Sequence, residues 1–151
     1  MNFSFSIRFA ILVFLSLFWA SCTLENSATE KNKVCFKKSC IEVEVARTQD
    51  ELSRGLQMRK SLTDHQGMLF IFPQSGINDF WMKDTLIPLD IIWLDENQTV
   101  IYIASNLPAC LKDPCLTYGP SRECRYVLEI NGGHTEKLHI QIGDKAEFHF
   151  K

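Results

Sequence analysis

From Ile41 onward the chain is built of short apolar runs cut by turn signals, and no segment is periodic enough for a long helix. Ile41-Glu-Val-Glu-Val-Ala46 alternates apolar and polar residues strictly, the period of a strand with one buried face. Met68 to Phe72 is a continuous apolar run ended by Pro73-Gln-Ser-Gly76, and Ile77 to Met82 reads as the next strand. Asp84 to Pro88 bends the chain. Leu89 to Leu94 is apolar apart from Asp90, Asp95-Glu-Asn-Gln98 reads as a hairpin turn, and Thr99 to Ser105 returns. Asn106 to Glu123 is a long irregular segment with three prolines and two cysteines, then Tyr126 to Ile130 and Ala146 to Phe150 resume strand character. Helix is scarce. Thr48 as N-cap and Glu51 three residues on make a capping box, with Leu52 and Leu56 on one face of a helix from Gln49 to about Arg59. Gly55 inside it points to close packing, and His134 to Leu138 fits one or two further helical turns. Six or seven strands without β-α-β spacing predict a mainly β fold, a single compact antiparallel β-sandwich or barrel-like domain with one or two short helices.

The first 21 residues follow a different rule. Met1 to Ser21 carries one charge, Arg8, and an apolar run of 12 residues from Phe9 to Ala20, too short for the roughly 20 that span a bilayer. That layout is a secretory signal. Trp19-Ala20-Ser21-Cys22 resembles the lipobox of bacterial lipoproteins, whose cysteine becomes a diacylated N-terminus; Trp19 stands where that motif usually has Leu. Two acyl chains would anchor the protein stably. The expected organisation is a signal peptide over 1–21, a lipid-anchored polar tether over 22–34 and a β domain over 35–151. Anchoring on the periplasmic or extracellular side follows, and Thr23 leans towards the outer membrane where the cell has one, because the common inner-membrane retention signal has Asp there. Without Arg8, 15 basic residues face 18 acidic ones, which argues against nucleic acid as a partner.

Six cysteines in an exported chain point to disulfides. With lipid on Cys22, five remain: Cys35 and Cys40 have four residues between them, Cys110 and Cys115 likewise, and Cys124 stands alone. Pairing neighbours leaves Cys124 as a free thiol, an inert buried side chain or, on a rival reading, a nucleophile. A four-cysteine zinc site is the competing use of the paired cysteines, while a thioredoxin-like redox pair needs two intervening residues. The four histidines, at 65, 134, 139 and 149, lack zinc-type spacing, and no phosphate loop, dinucleotide fingerprint or nucleophile elbow occurs. The reading carries no metal and no cofactor.

Gly67-Met-Leu-Phe-Ile-Phe-Pro73, Phe80-Trp-Met-Lys-Asp-Thr85, Ile87-Pro-Leu-Asp-Ile91, Asp113-Pro-Cys115 and Tyr126-Val-Leu-Glu129 together form a pattern. In it the chain resembles the domain of unknown function 192 family of small bacterial and archaeal proteins, from about Ile41 to Phe150, with the Cys35 and Cys40 pair outside. The resemblance implies a compact β-sandwich, often exported, with no established activity. This chain departs at Asp84, where the family commonly has Asn, and near His139, where it commonly has a glycine.

The densest chemical cluster is Asn78 to Thr85. On a strand, Phe80 and Met82 face one way while Trp81 and Lys83 face the other, beside the Asp90 carboxylate one strand away. An indole next to charges on a sheet face suits a small-molecule or glycan site, with Asp84 as a further polar group and Tyr118, Ser121 and Arg122 as a lip. The bland alternative puts Trp81 in the core and pairs Lys83 with Asp84 or Asp90. Arg54, Arg59, Asp90 and Glu129 could form a charged cluster or serve as separate ion pairs. Three functions follow: an envelope binding module for a small ligand, glycan or protein; an envelope hydrolase using carboxylates near Asp84 and Asp90; or a structural accessory of an envelope complex.

Overall fold

The computed structural model describes residues 30–151, so the signal peptide, Cys22 and most of the tether lie outside the described residues. The fold begins with a hairpin, β1 (Lys33–Phe36) and β2 (Ser39–Ala46), in which Cys35 and Cys40 lie directly opposite and are bonded. β1 starts two residues inside the stretch expected as tether. α1 (Gln49–Arg54) leads into β3 (Gln66–Gly76), a short β4 (Phe80–Trp81), then β5 (Leu89–Leu94) and β6 (Val100–Leu107) joined by the Asp95 turn. β7 (Thr117–Tyr118), β8 (Cys124–Asn131), α2 (His134–Lys137) and β9 (Ala146–His149) complete the chain.

Seven strands form one sheet in the order β6-β5-β8-β3-β2-β1-β9, and β4 pairs with β7 as a two-stranded ribbon. The protein is mainly β, and the large sheet curls into a half-barrel. Its two edges meet where Thr99 bridges Lys145 and the Val100 N–H donates to the Asp144 carbonyl over 2.9 Å. Every neighbouring pair is antiparallel except β2 and β3. That parallel pair, connected through α1, corrects the expectation of no β-α-β unit. Its crossover helix has only six residues and leaves a weak periodic signal.

The sheet is buried on both faces. The inner face packs Phe36, Ile41, Leu69, Ile92, Leu94, Leu128 and Ile130; the outer face packs Phe70, Met82, Leu89, Ile91, Trp93 and Val127 under α1 and the β4/β7 ribbon. β5 lies between the two and is buried at all six positions, which is why its sequence is nearly continuous apolar residues. Each such Leu or Ile contributes about 1.5–3 kcal/mol by leaving water.

α1 has the expected capping box, with the Glu51 N–H donating to Thr48 Oγ1 and Glu51 Oε2 accepting from the Thr48 N–H. It ends at Gly55 rather than near Arg59, because Gly55 turns the chain with φ of 49°. A Cβ there would come within 3.1 Å of Phe70 Cζ, so the close packing anticipated at Gly55 terminates the helix. The strand expected over Ile77 to Met82 shrinks to Phe80–Trp81, paired with residues of the segment expected to be irregular. The two departures from the family pattern share a backbone cause. Asp84 has φ of 55° and His139 φ of 54°, the left-handed region that Asn tolerates and glycine enters freely.

Candidate functional site

Strand parity on β8 puts Glu129 on the outer face with Val127, opposite Ile91 of β5 and Met68 of β3. The chain leaving α1 passes over it, and the absent side chain of Gly55 leaves room: a Cβ there would stand 3.6 Å from Glu129 Oε2. Glu129 is 5% exposed, and its Oε2 has no hydrogen-bond partner. Burial pushes its carboxyl up to about 8, a rise the Leu56 backbone N–H only partly offsets. It is therefore neutral at pH 7, a buried acid that can donate a hydrogen bond.

Above Glu129 lies a narrow cleft of about 30 Å³, lined by Arg54 and Leu56 on one side and Phe70, Phe80, Trp81, Lys83 and Thr85 on the other. Phe80 fixes the ribbon to the core by edge contacts to Phe70 at 4.8 Å and Trp93 at 5.9 Å, and Trp93 Nε1 donates to the Asn78 carbonyl at 2.8 Å. Trp81 therefore points outward and is 48% exposed, with Lys83 Nζ 5.4 Å from its ring centre. Lys83 pairs with Asp113 at 2.9 Å, and that hydrogen bond holds its ammonium above the ordinary lysine range. The expected partners, Asp84 and Asp90, are not the ones it meets.

Asp113 is presented by a loop that the Cys110–Cys115 disulfide closes. The loop is fastened to the ribbon by backbone bonds: Asp84 N–H to the Cys110 carbonyl at 3.0 Å, and Cys110 N–H to the Met82 carbonyl at 3.2 Å. The Asp84 carbonyl also accepts from the Met58 N–H at 2.8 Å, so this residue ties the disulfide loop to the chain that follows α1.

Asp90 is not part of the surface. It points to the inner face, fully buried, and accepts from the Asn106, Gly133 and Thr135 N–H groups at 2.6, 2.8 and 2.7 Å and from Thr135 Oγ1 at 2.6 Å. Those four donors fill the acceptor positions of a carboxylate. The cleft expected from Trp81, Lys83 and Asp90 therefore does not form, and Asp84 with Asp90 is no hydrolytic pair. Tyr118 sits opposite Phe80 and packs against the core, while Arg122 is exposed and does not line the cleft. The proposed charged cluster divides: Arg54 and Glu129 share the cleft, whereas Arg59 pairs with Glu44 at 2.8 Å.

Cys124 is a buried thiol. Burial raises its pKa, and Asn78 Nδ2 at 3.4 Å from Sγ counteracts this only in part, so it is a poor nucleophile. Among the described residues no cluster of His, Cys, Asp and Glu could hold a metal ion, and no helix is long and apolar enough to cross a membrane. A wider groove of about 450 Å³ between Glu30 and Lys151 is lined by charges of which Lys31 and Glu42 pair at 2.7 Å and Glu44 pairs with Arg59. Sequence reasoning named Glu129 only as a charge; its position within an apolar strand, Tyr126-Val-Leu-Glu-Ile130, was the signal for burial.

None of the curated proteins matches this chain. Among solved structures it is similar to a protein of unknown function from Novosphingobium aromaticivorans DSM 12444, with 35% identity and a TM-score of 0.70 over 77% of this chain and 82% of that one. It is also similar to a "putative transcription regulator" of Sinorhizobium meliloti 1021, with 26% identity and a TM-score of 0.71 over 78% of this chain and 91% of that one. The family model for the domain of unknown function 192, described as an uncharacterized ACR, matches residues 31–148, so the match takes in β1 and the Cys35–Cys40 bridge that the sequence resemblance left out. On that match, and on the fold shared with the Novosphingobium protein, the chain belongs to the domain of unknown function 192 family.

Proposed function

We propose that this protein is an exported, lipid-anchored binding module of the cell envelope that holds a small ligand in the cleft between α1 and the β4/β7 ribbon. The observation that carries the reading is Glu129: a buried acid with an oxygen lacking any partner, in the lining of the cleft. Buried polar groups are normally satisfied, and one left open beside an exposed indole is the arrangement of a site awaiting its partner. Binding is favoured over hydrolysis because Asp90 is consumed by the inner-face turn, and over a purely structural role because Trp81 remains exposed.

The two disulfides are those of a chain that folds in an oxidising compartment outside the cytosol, which supports the export reading of Met1 to Ser21; the proposed acylation at Cys22 rests on the Trp19-Ala20-Ser21-Cys22 motif. The regulator name carried by the Sinorhizobium relative does not suit this chain, whose mature part is acidic and addressed to the envelope. Peptides remain within the proposed ligand range, and a glycan at the mouth of the cleft alone, because the Trp81 ring offers an apolar platform there.

Saturation of the protein with a panel of small acids, sugars, amines and short peptides, read by the indole N–H resonance of Trp81, tests the site. At least one class should shift that resonance, and Trp81→Ala and Lys83→Ala should weaken binding at least tenfold while melting like the parent. A silent panel contradicts the reading. For the anchor, labelled palmitate should appear on the chain and Cys22→Ala should release it from membranes; an unlabelled chain, or a Cys22→Ala form that stays bound, removes the anchor from the proposal.

A further inference from the structure

Taking the cleft as the binding site, we infer that its ligand is the carboxylate end of a small organic acid, which enters tip first, accepts the hydrogen of Glu129 and lies under Arg54 and Lys83. Three observations carry this choice. The cleft holds about 30 Å³, room for a terminal group but not for a sugar ring or a bulky headgroup. Its base holds a donor: the carboxyl, kept neutral by burial, already accepts from the Leu56 N–H, has Oε2 unpartnered, and has an O–H to give to an oxygen acceptor. Its rim is cationic. Arg54 comes from α1 and Lys83 from the segment after β4, and these are the charged residues that line the cleft with Glu129.

The other elements packed around Glu129 contribute no charge. β3 and β5 place Met68 and Ile91 opposite it, and β4 brings Phe80. Asp113 is the nearest competing acid by its bond to Lys83, and it lies outside the cleft on the disulfide loop, 63% exposed. An incoming carboxylate therefore replaces an exposed partner of Lys83 and gains a hydrogen bond from Glu129 in a low-dielectric base, where charge-assisted bonds are strong. It also stabilises the protonated form of Glu129, because two carboxyl groups sharing one proton cannot both ionise cheaply. A cationic ligand meets the opposite situation, with two like charges at the rim and a donor at the base. The apolar walls, Phe70 and Phe80 below and the Trp81 ring at the mouth, suit a short hydrocarbon behind the carboxylate.

The test uses the full chain in detergent and three probes with the same three-carbon skeleton: propionate, propylamine and propanol. Binding is followed by the Trp81 indole resonance from pH 6 to 10. Propionate should bind, its affinity holding to about pH 8 and then falling close to tenfold per pH unit as Glu129 loses its proton. Glu129→Gln keeps a donor that does not titrate, so it should bind propionate with no fall up to pH 10, and Arg54→Ala should weaken binding severalfold at every pH. Propylamine binding that strengthens above pH 8, or propanol binding as tightly as propionate, overturns the carboxylate while leaving the cleft as a site. Propionate binding that falls identically in the parent and in Glu129→Gln also overturns it. Silence from all three probes, and from the wider panel, removes the site itself.

Discussion

Two buried acids on neighbouring strands have opposite fates. Asp90 on β5 faces inward and Glu129 on β8 faces outward, and the register sets them almost side by side, with Asp90 opposite Ile130 and Ile91 opposite Glu129. Asp90 is met by four donors, drawn from the end of β6 and the start of α2, where Asn106 and Gly133 adopt positive φ of 52° and 79°. Glu129 is met by little, has an oxygen with no partner and is neutral at pH 7. Burial alone therefore does not assign a role to an acid. The donors around it do: a saturated carboxylate fastens a turn, and an unsaturated carboxyl beneath an opening is a group for something else to meet.

The largest expected effect separates the two directly. Asp90→Ala strips the acceptor from the buried Thr135 N–H and hydroxyl and from the part-buried Asn106 and Gly133 N–H groups, and should destabilise the fold by about 3–5 kcal/mol in urea unfolding. Glu129→Gln should cost far less near neutral pH. If both substitutions cost the same, the contrast fails.

The second effect is a pH dependence belonging to Glu129. The unfolded chain releases this proton near 4.5 and the folded chain near 8, so between those values the folded state holds the extra proton and stability falls as pH rises. The slope is about 1.4 kcal/mol per pH unit at its steepest. The contribution is complete below about 4.5 and gone above about 8. Subtracting the unfolding free energies of Glu129→Gln from those of the parent isolates it. Glu42, Asp64 and Asp144, held below their ordinary range chiefly by hydrogen bonds to Lys31, Lys137 and Lys37, act with the opposite sign and at more acid pH.

A smaller effect should be confined to one side. Replacing Cys110 and Cys115 together with Ser opens a short loop worth about 2 kcal/mol by chain entropy. Amide exchange should then quicken at Asp84 and Cys110, while the Gly133 and Thr135 amides bound to Asp90 keep their protection. Equal loss on both faces would mean that the outer site is not an independently held region.

The parts of this structure legible in the sequence are those that local patterns decide. Alternation marked β2, the long apolar run marked β5, Asp95 with Asn97 and Gln98 marked the hairpin, and Thr48 with Glu51 marked the start of α1. The parts missed depend on distant partners. β1 is four residues long and reads as strand only because β2 and β9 flank it. The parallel pairing of β2 with β3 is a matter of topology. For the site, Trp81 and Lys83 were found by strand parity, but parity cannot say that Asp90 lies on the opposite face from them, nor that Asp113 reaches Lys83 from thirty residues away. Glu129 was overlooked because a charged residue is ordinarily solvated; its apolar neighbours carried the information that it is not.

The central claim is that Glu129 is a neutral carboxyl at the base of an open cleft at physiological pH. Carbon-13 NMR titration of its side-chain carboxyl in the folded protein tests this most directly. A midpoint near 8 agrees with the account. A midpoint in the ordinary carboxylate range, about 4 to 5, would mean that the group is charged and already has partners, and the account would be wrong.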